Sequence, residues 1–100
     1  MVNAQKLKDK LEEKYGSLDD ESGCYGGNSE WLSVKNIVNL IDQCDTDGEL
    51  DADDLKDKIE DKYGDLDDEA GCYIRHEWLS VKDIVDLIDE CDDGDDGEDD

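Results

Sequence analysis

The sequence predicts an α+β protein made of two tandem α-β-β-α repeats, each a helix, a short hairpin and a second helix. Residues 7–45 align with residues 55–92 with one deletion, and 28 of 38 aligned positions are identical. In both copies, apolar residues recur at helical spacing on either side of a short hairpin pattern. We therefore divide the chain into repeat 1 (1–46), an acidic linker (47–54), repeat 2 (55–92) and an acidic tail without regular structure (93–100).

The first helix of each repeat is indicated by apolar residues that return every four positions. They are Leu7, Leu11 and Tyr15 in repeat 1, and Leu55, Ile59 and Tyr63 in repeat 2. Gly16 and Gly64 follow at once, and glycine is the residue that most often ends a helix. Asp51 is predicted to cap the first helix of repeat 2, because a carboxylate there accepts hydrogen bonds from first-turn N–H groups.

The hairpin of repeat 1 is predicted from Cys24-Tyr25 and Glu30-Trp31-Leu32, joined by a turn at residues 26–29. The deletion in repeat 2 falls in this turn, where a change of chain length disturbs the fold least. Ser33 and Ser80 are predicted to cap the second helices. The broad apolar faces of these helices comprise Val34, Ile37, Val38, Leu40, Ile41 and Cys44, repeated at Val81, Ile84, Val85, Leu87, Ile88 and Cys91. The sequence pattern is compatible with two arrangements of the hairpins: one four-stranded sheet, or two separate sheets.

The size of each repeat limits how it folds. Below roughly 70 residues a single core rarely stabilises a domain. We therefore expect the repeats to share one small core, to form two subdomains, or to homodimerise.

Charge is the most unusual property of the chain, with 33 acidic against 10 basic residues and a net charge of −23. Adaptation to high salt, calcium binding, a structural role or a positively charged partner each explain such a charge. Nine of the ten basic residues are lysine, which argues against the first explanation. The charge disfavours direct binding to nucleic acid or to an anionic membrane.

No catalytic motif is present in the sequence. His76 is the only histidine, and Asn28 takes its place in repeat 1. A Ser-His-Asp set, an HExxH motif and a phosphate-binding loop are all lacking. We therefore predict that the protein is not an enzyme and needs no cofactor.

The four cysteines, Cys24, Cys44, Cys72 and Cys91, lack the close CxxC spacing of zinc sites. The chain shows no export signal, so reduced thiols in the core are expected rather than disulfides or a metal site. This places the protein in a cytoplasm, including that of an infected host cell.

The segment 43–54 resembles an EF-hand calcium loop. With Gly48 at the sixth position of the loop, Asp45 and Asp47 occupy the third and fifth. The first position is Gln43 instead of Asp, and the last is Asp54 instead of Glu. The alternative prediction is therefore a small calcium-binding protein with a degenerate loop, whose ligands are Asp45, Asp47, Asp51 and Asp54; a linker rich in helix-capping Asp is the other explanation.

The repeats differ mainly in where carboxylates lie. Asn36, Asn39 and Gln43 of repeat 1 become Asp83, Asp86 and Glu90 in repeat 2, and Ser17 becomes Asp65. Their spacing of three and four residues places the helix positions on one face, opposite the apolar face. Asp89, Glu90, Asp92 and Asp93 also crowd a helix C-terminus, where the helix dipole disfavours anions. Such crowding indicates either a functional site or a frayed helix end.

Carboxylates one helical turn apart stand about 5–6 Å from each other, similar to successive phosphates of a nucleic acid. In size, charge and arrangement, the chain resembles the small acidic nucleic-acid mimics that phages and mobile elements use against restriction or CRISPR effectors. The resemblance implies an inhibitor that occupies the DNA- or guide-binding channel of a basic nucleic-acid-binding protein. The predicted contacts are Asp83, Asp86 and Glu90, with Asp65, Asp67, Asp68 and Glu69 in the preceding loop. A structural repeat protein without a partner is a third alternative.

Overall fold

The computed structural model describes residues 1–92 and has the predicted α+β fold with two αββα repeats. The predicted tail, 93–100, lies outside the described residues. Repeat 1 contains β1 (Val2–Asn3), α1 (Ala4–Tyr15), β2 (Gly23–Tyr25), β3 (Trp31–Ser33) and α2 (Val34–Cys44). The remaining elements are β4 (Glu49–Leu50), α3 (Ala52–Tyr63), β5 (Gly71–Ile74), β6 (Glu77–Ser80) and α4 (Val81–Cys91).

The helix caps at Ser33, Asp51 and Ser80 and the helix ends at Gly16 and Gly64 are those that the sequence indicated. Asp51 caps α3 by accepting a hydrogen bond from the N–H of Asp53 (2.9 Å). Ser33 and Ser80 cap α2 and α4 through their hydroxyl oxygens. Each of α1 and α3 ends at a glycine in the left-handed region, with φ 99° at Gly16 and 101° at Gly64, where a Cβ is disfavoured. These boundaries confirm the local part of the prediction.

The linker predicted at 47–54 is largely regular. Thr46 and Glu49 exchange two backbone hydrogen bonds across a two-residue turn. At its centre, Asp47 and Gly48 both have positive φ (56° and 91°), which is typical of the tight turn that closes a hairpin. β4 follows and pairs antiparallel with β1, so that Val2 lies opposite Leu50. The starts of the two repeats are therefore hydrogen-bonded to each other.

The two hairpins remain separate two-stranded sheets. β2 pairs with β3 and β5 pairs with β6, both antiparallel, and no ladder joins the two sheets within residues 1–92. β2 nevertheless lies against β5. The hairpins thus sit side by side without forming a four-stranded sheet.

One core serves both repeats. α1 packs against α2 and α4, and α3 packs against the same two helices. The buried side chains of both repeats form a single cluster that runs from Val2 to Cys91. The radius of gyration is 12.8 Å, close to the roughly 12 Å expected for one compact domain of this length. Of the arrangements considered for the repeats, the structure adopts the shared core.

One buried tyrosine in each repeat donates a hydrogen bond from its hydroxyl to the hairpin of the other repeat. Tyr15 donates a hydrogen bond to the carbonyl of Trp78 (2.9 Å), and Tyr63 donates one to the carbonyl of Trp31 (2.7 Å). Burial is the main reason why the pKa of Tyr63 is raised to about 12, and the pKa of Tyr15 is raised for the same reason. The two tyrosines therefore stay protonated, as hydrogen-bond donors, at neutral pH.

Ion pairs follow the same crossed pattern. Lys14 lies 3.4 Å from Glu77, and Lys62 lies 3.2 Å from Glu30.

Within residues 1–92, none of the helices is both long and apolar enough to cross a membrane.

Candidate functional site

The three acids predicted on the second helix of repeat 2 lie on the outward side of α4. Asp86 and Glu90 are exposed, and Asp83 is half-buried near the start of the helix. The inward side of α4 carries the buried residues Val81, Ile84, Leu87, Ile88 and Cys91. The predicted separation of an apolar and an acidic face on this helix is therefore present.

The loop that precedes β5 lies beside the start of α4. The carbonyl of Asp68 accepts a hydrogen bond from the N–H of Lys82 (3.0 Å), which holds the loop against the first turn of the helix. All seven acids predicted as contacts therefore lie on connected parts of repeat 2. We name this set the acidic stripe; it comprises Asp65, Asp67, Asp68, Glu69, Asp83, Asp86 and Glu90.

Two carboxylates of the acidic stripe also shape the loop. Asp65 accepts a hydrogen bond from the N–H of Asp67, and Asp68 accepts one from the N–H of Ala70, both at 2.9 Å. Each bond uses one carboxylate oxygen, so the other oxygen is left for a second donor. The loop thus holds its acids in a defined geometry before any partner binds.

The acids on α4 form only weak ion pairs within the chain. Asp86 lies 3.8 Å from Lys82, and Glu90 lies 4.0 Å from Lys10 on α1. The four side chains are between 39% and 57% exposed, and exposed ion pairs contribute about 0–1 kcal/mol to stability. A cationic partner can displace these lysines at little cost.

The acids crowded at the end of α4 have a structural explanation. Asp89 lies 2.5 Å from Lys56 of α3, and the N-terminal ammonium group lies 3.3 Å from Asp92. Repeat 1 has the equivalent of the first pair, in which Lys8 lies 2.6 Å from Asp42. These cations offset the unfavourable helix dipole at Asp89 and Asp92; the predicted Asp93 lies outside the described residues.

Asp83 occupies a position where repeat 1 uses an amide for folding. Asn36, its counterpart, donates a hydrogen bond from Nδ2 to the carbonyl of Trp31 (2.8 Å). A carboxylate at position 83 has no proton to donate to the equivalent carbonyl of Trp78. Its charge instead adds to burial in raising the pKa of Tyr15. Repeat 2 therefore carries a carboxylate where an amide serves the fold better.

Replacing Asp83 with Asn is expected to stabilise the protein. A new hydrogen bond to the carbonyl of Trp78 contributes about 1 kcal/mol. Loss of an anion near a helix N-terminus lowers the stability by a few tenths of a kcal/mol. The free energy of unfolding should rise by about 0.5 kcal/mol, and the reciprocal Asn36→Asp should lower it by about the same amount. Urea unfolding of both variants measures this, and an Asp83→Asn variant less stable than the parent contradicts it.

The outer face of α3 carries acids that the sequence argument did not select as partner contacts. Asp53, Asp54 and Asp57 are exposed, as are Glu60 and Asp61. The equivalent positions of α1 include Gln5 and Lys6 in place of two of these acids. Comparing the two repeats, which identified the acids of α4, therefore also reveals the added negative charge on α3.

The carboxylates of the EF-hand-like segment serve turns and caps. Asp45 accepts a hydrogen bond from the N–H of Gly48 (2.7 Å), and Asp51 caps α3. Across the described residues 1–92, no group of three or more His, Cys, Asp or Glu side chains is placed to hold a metal ion. The predicted ligands Asp45, Asp47, Asp51 and Asp54 are thus not gathered into a site.

The cysteines pack within the fold. Cys24, Cys44 and Cys72 carry free, half-buried thiols, and Cys91 is buried. The Cys72 thiol, which is hydrogen-bonded to Cys24 of the other repeat, has its pKa raised to about 11, mainly by burial. Burial also raises the pKa of Cys44. Raised pKa values keep thiols protonated and poorly nucleophilic at neutral pH.

Comparison with protein-family models, with curated proteins and with solved structures gives no match to this chain. The fold and the charge distribution define its class: a small, highly acidic α+β protein of two interlocked repeats. Four members of the acidic stripe, Asp65, Asp83, Asp86 and Glu90, replace uncharged residues of repeat 1, whereas Asp67, Asp68 and Glu69 have identical counterparts there.

Proposed function

We propose that this protein binds and inhibits a basic nucleic-acid-binding protein by occupying its nucleic-acid channel. The partner class is a host-defence effector of the CRISPR or restriction type, and the place of action is the cytoplasm of an infected host cell. The inhibitor acts by binding alone, without turnover or cofactor.

The observation that carries this proposal is the substitution of carboxylates for amides on an otherwise repeated scaffold. Three positions on the outward side of α4 hold acids where α2 holds near-isosteric amides. At Asp83 this change forgoes a hydrogen bond that Asn36 makes in repeat 1. Local rules of stability tend to be broken at functional sites, so a partner surface explains the change better than the fold does.

The charge balance of the whole molecule supports a cationic partner. Six of the 33 acidic residues lie in 93–100, so residues 1–92 carry 27 acidic against ten basic side chains. Such a field accelerates encounter with a positive surface and strengthens as ionic strength falls. The molecule measures 36 × 25 × 25 Å, which is comparable with a duplex about ten base pairs long at 3.4 Å per base pair.

The proposal is tested by competition for DNA. A variant with Asp83→Asn, Asp86→Asn and Glu90→Gln keeps the shape of the acidic stripe and removes three charges. Titrating the protein into a restriction endonuclease or a CRISPR effector with labelled DNA measures displacement. The variant should compete about tenfold less well or worse, because each desolvated contact with Lys or Arg contributes about 1 kcal/mol or more. Its affinity should also depend less steeply on salt.

The matched control is Asn36→Asp with Asn39→Asp, which adds charge to the equivalent face of repeat 1. If bulk charge alone governs binding, this control, which adds two charges, strengthens competition by about as much per charge as the triple variant, which removes three, weakens it. Equal competition by the parent and the folded triple variant removes the acidic face of α4 from the mechanism. Failure of the parent to displace DNA from any basic effector overturns the proposal.

A further inference from the structure

The aromatic residues of the chain are concentrated at one end of the molecule. Tyr15 and Tyr63 lie at the ends of α1 and α3, buried beneath the hairpins. The other four aromatic residues, Tyr25, Trp31, Tyr73 and Trp78, lie on the hairpins themselves. We name this end, formed by both hairpins and the loops 17–22 and 65–70, the hairpin pole.

Each hairpin presents a fixed pair of aromatic rings. Tyr25 meets Trp31 edge to face with ring centroids 5.1 Å apart, and Tyr73 meets Trp78 at 4.9 Å. Both tryptophans are anchored, because their ring N–H groups donate to loop carbonyls at 2.9 Å. The tyrosines are 72% and 71% exposed. The rings are therefore held in place while the tyrosine faces stay open to solvent.

Ordered and exposed aromatic rings are typical of interaction surfaces. Tyrosine and tryptophan are enriched at the energetic centres of protein interfaces, together with arginine. The inward sides of the same hairpins contribute apolar side chains to the core, where Leu32 and Leu79 are fully buried. The core therefore has no need of the outward rings.

Carboxylates surround the rings. A cleft of about 610 Å³ separates the loop 17–22 from β5; Ser17, Asp19, Asp20 and Ser22 line one side, and Tyr73, Ile74 and Arg75 line the other. A second cleft, of about 400 Å³, is lined by Glu21, Trp31, Ser33, Lys35 and Asn36. Arg75 packs over Gly16 at the end of α1, where a cation is favoured by the helix dipole. Each cleft therefore combines at least one acid with the face or edge of an aromatic ring.

We propose that the hairpin pole binds an arginine-rich segment of the protein partner. A guanidinium group stacks on an aromatic face and pairs with a carboxylate at the same time, whereas a lysine ammonium is a strongly hydrated point charge. The rings thus add a preference for arginine to the general attraction of the acidic chain for cations. This inference rests on the proposed function, because it specifies the chemistry of the partner and adds a second contact surface beside the acidic stripe.

The experiment compares oligoarginine with oligolysine of equal length as probes, by calorimetry on the full chain. The parent should bind oligoarginine about tenfold more tightly, because a guanidinium group stacks on an exposed aromatic face more favourably than a strongly hydrated ammonium group does. A variant with Tyr25→Leu and Tyr73→Leu keeps apolar bulk but removes the two most exposed rings, so its preference should fall at least several-fold while oligolysine binding is unchanged. Tyr25→Phe with Tyr73→Phe keeps the rings and should retain the preference.

Ring-proton shifts in the parent protein provide a second measurement that needs no variant. Addition of oligoarginine should shift the ring protons of Tyr25 and Tyr73 and leave those of Tyr15 and Tyr63 in place. Equal binding of the two probes, an arginine preference that is undiminished in the folded double leucine variant, or unshifted Tyr25 and Tyr73 rings overturns the inference. DNA competition by the acidic stripe fails or succeeds independently of this preference, so the two proposals are told apart.

Discussion

Cutting the chain between its repeats is expected to abolish folding of both halves. Fragments 1–47 and 48–100 each lose the helices that complete their core, because α1 packs on α4 and α3 packs on α2. They also lose the hydrogen bonds from Tyr15 to Trp78 and from Tyr63 to Trp31. A half of this size buries too little apolar surface to offset its conformational entropy.

Circular dichroism at micromolar concentration checks this expectation. Each fragment alone should show little helix, and an equimolar mixture should recover the helix content of the intact chain. The intact protein with a lengthened turn after Asp47 is the control, because it alters the same place without separating the repeats. A monomeric fragment that unfolds cooperatively contradicts the shared core.

The second large effect is expected for Gly71→Ala. A Cβ at Gly71 lies 1.8 Å from the carbonyl oxygen of Leu79, and one at Gly23 lies 1.9 Å from that of Leu32. Both obstacles are backbone atoms of the partner strand, which no change of rotamer relieves. We expect the free energy of unfolding to fall by at least about 3 kcal/mol, the upper range for overpacking.

Gly26→Ala, in the turn of the other hairpin, is the control. The nearest atom to its Cβ is a side-chain carbon of Tyr63 at 3.3 Å, so a small shift suffices. Urea unfolding should place this control within about 1 kcal/mol of the parent. If Gly71→Ala is as stable as Gly26→Ala, the strands of the second hairpin do not approach as closely as described.

The sequence by itself determined the local elements, because their causes lie within a few residues. Helical periodicity and the caps at Ser33, Asp51 and Ser80 predicted where the helices run, and Gly16 and Gly64 predicted where two of them end. The two short segments on either side of the turn at 26–29 predicted the first hairpin, and the repeat predicted the second. Each of these signals acts over one or two turns of chain, so one repeat is enough to show it.

The candidate site was predicted in part. The acids of α4 were found by comparing the repeats, because an amide and an acid are the same shape and differ only in charge and hydrogen bonding. The placement of the loop 65–69 beside α4 depends on the hydrogen bond that the N–H of Lys82 donates to the carbonyl of Asp68. Asn36 donates a hydrogen bond to the carbonyl of Trp31, and Tyr63 of the other repeat donates to the same carbonyl. This arrangement depends on the tertiary structure.

Only the tertiary structure decided how the repeats combine. The pairing of β1 with β4 joins Val2 to Leu50, and two-residue strands have no alternation from which to predict them. The cations that offset the acids at the end of α4 come from α3 and from the chain terminus, which periodicity does not relate to α4. Two nearly identical repeats have nearly identical apolar faces, so sequence alone does not distinguish packing within a repeat from packing across the pair. The crossed hydrogen bonds of Tyr15 and Tyr63 make that distinction, because each requires the backbone of the other repeat to be in place.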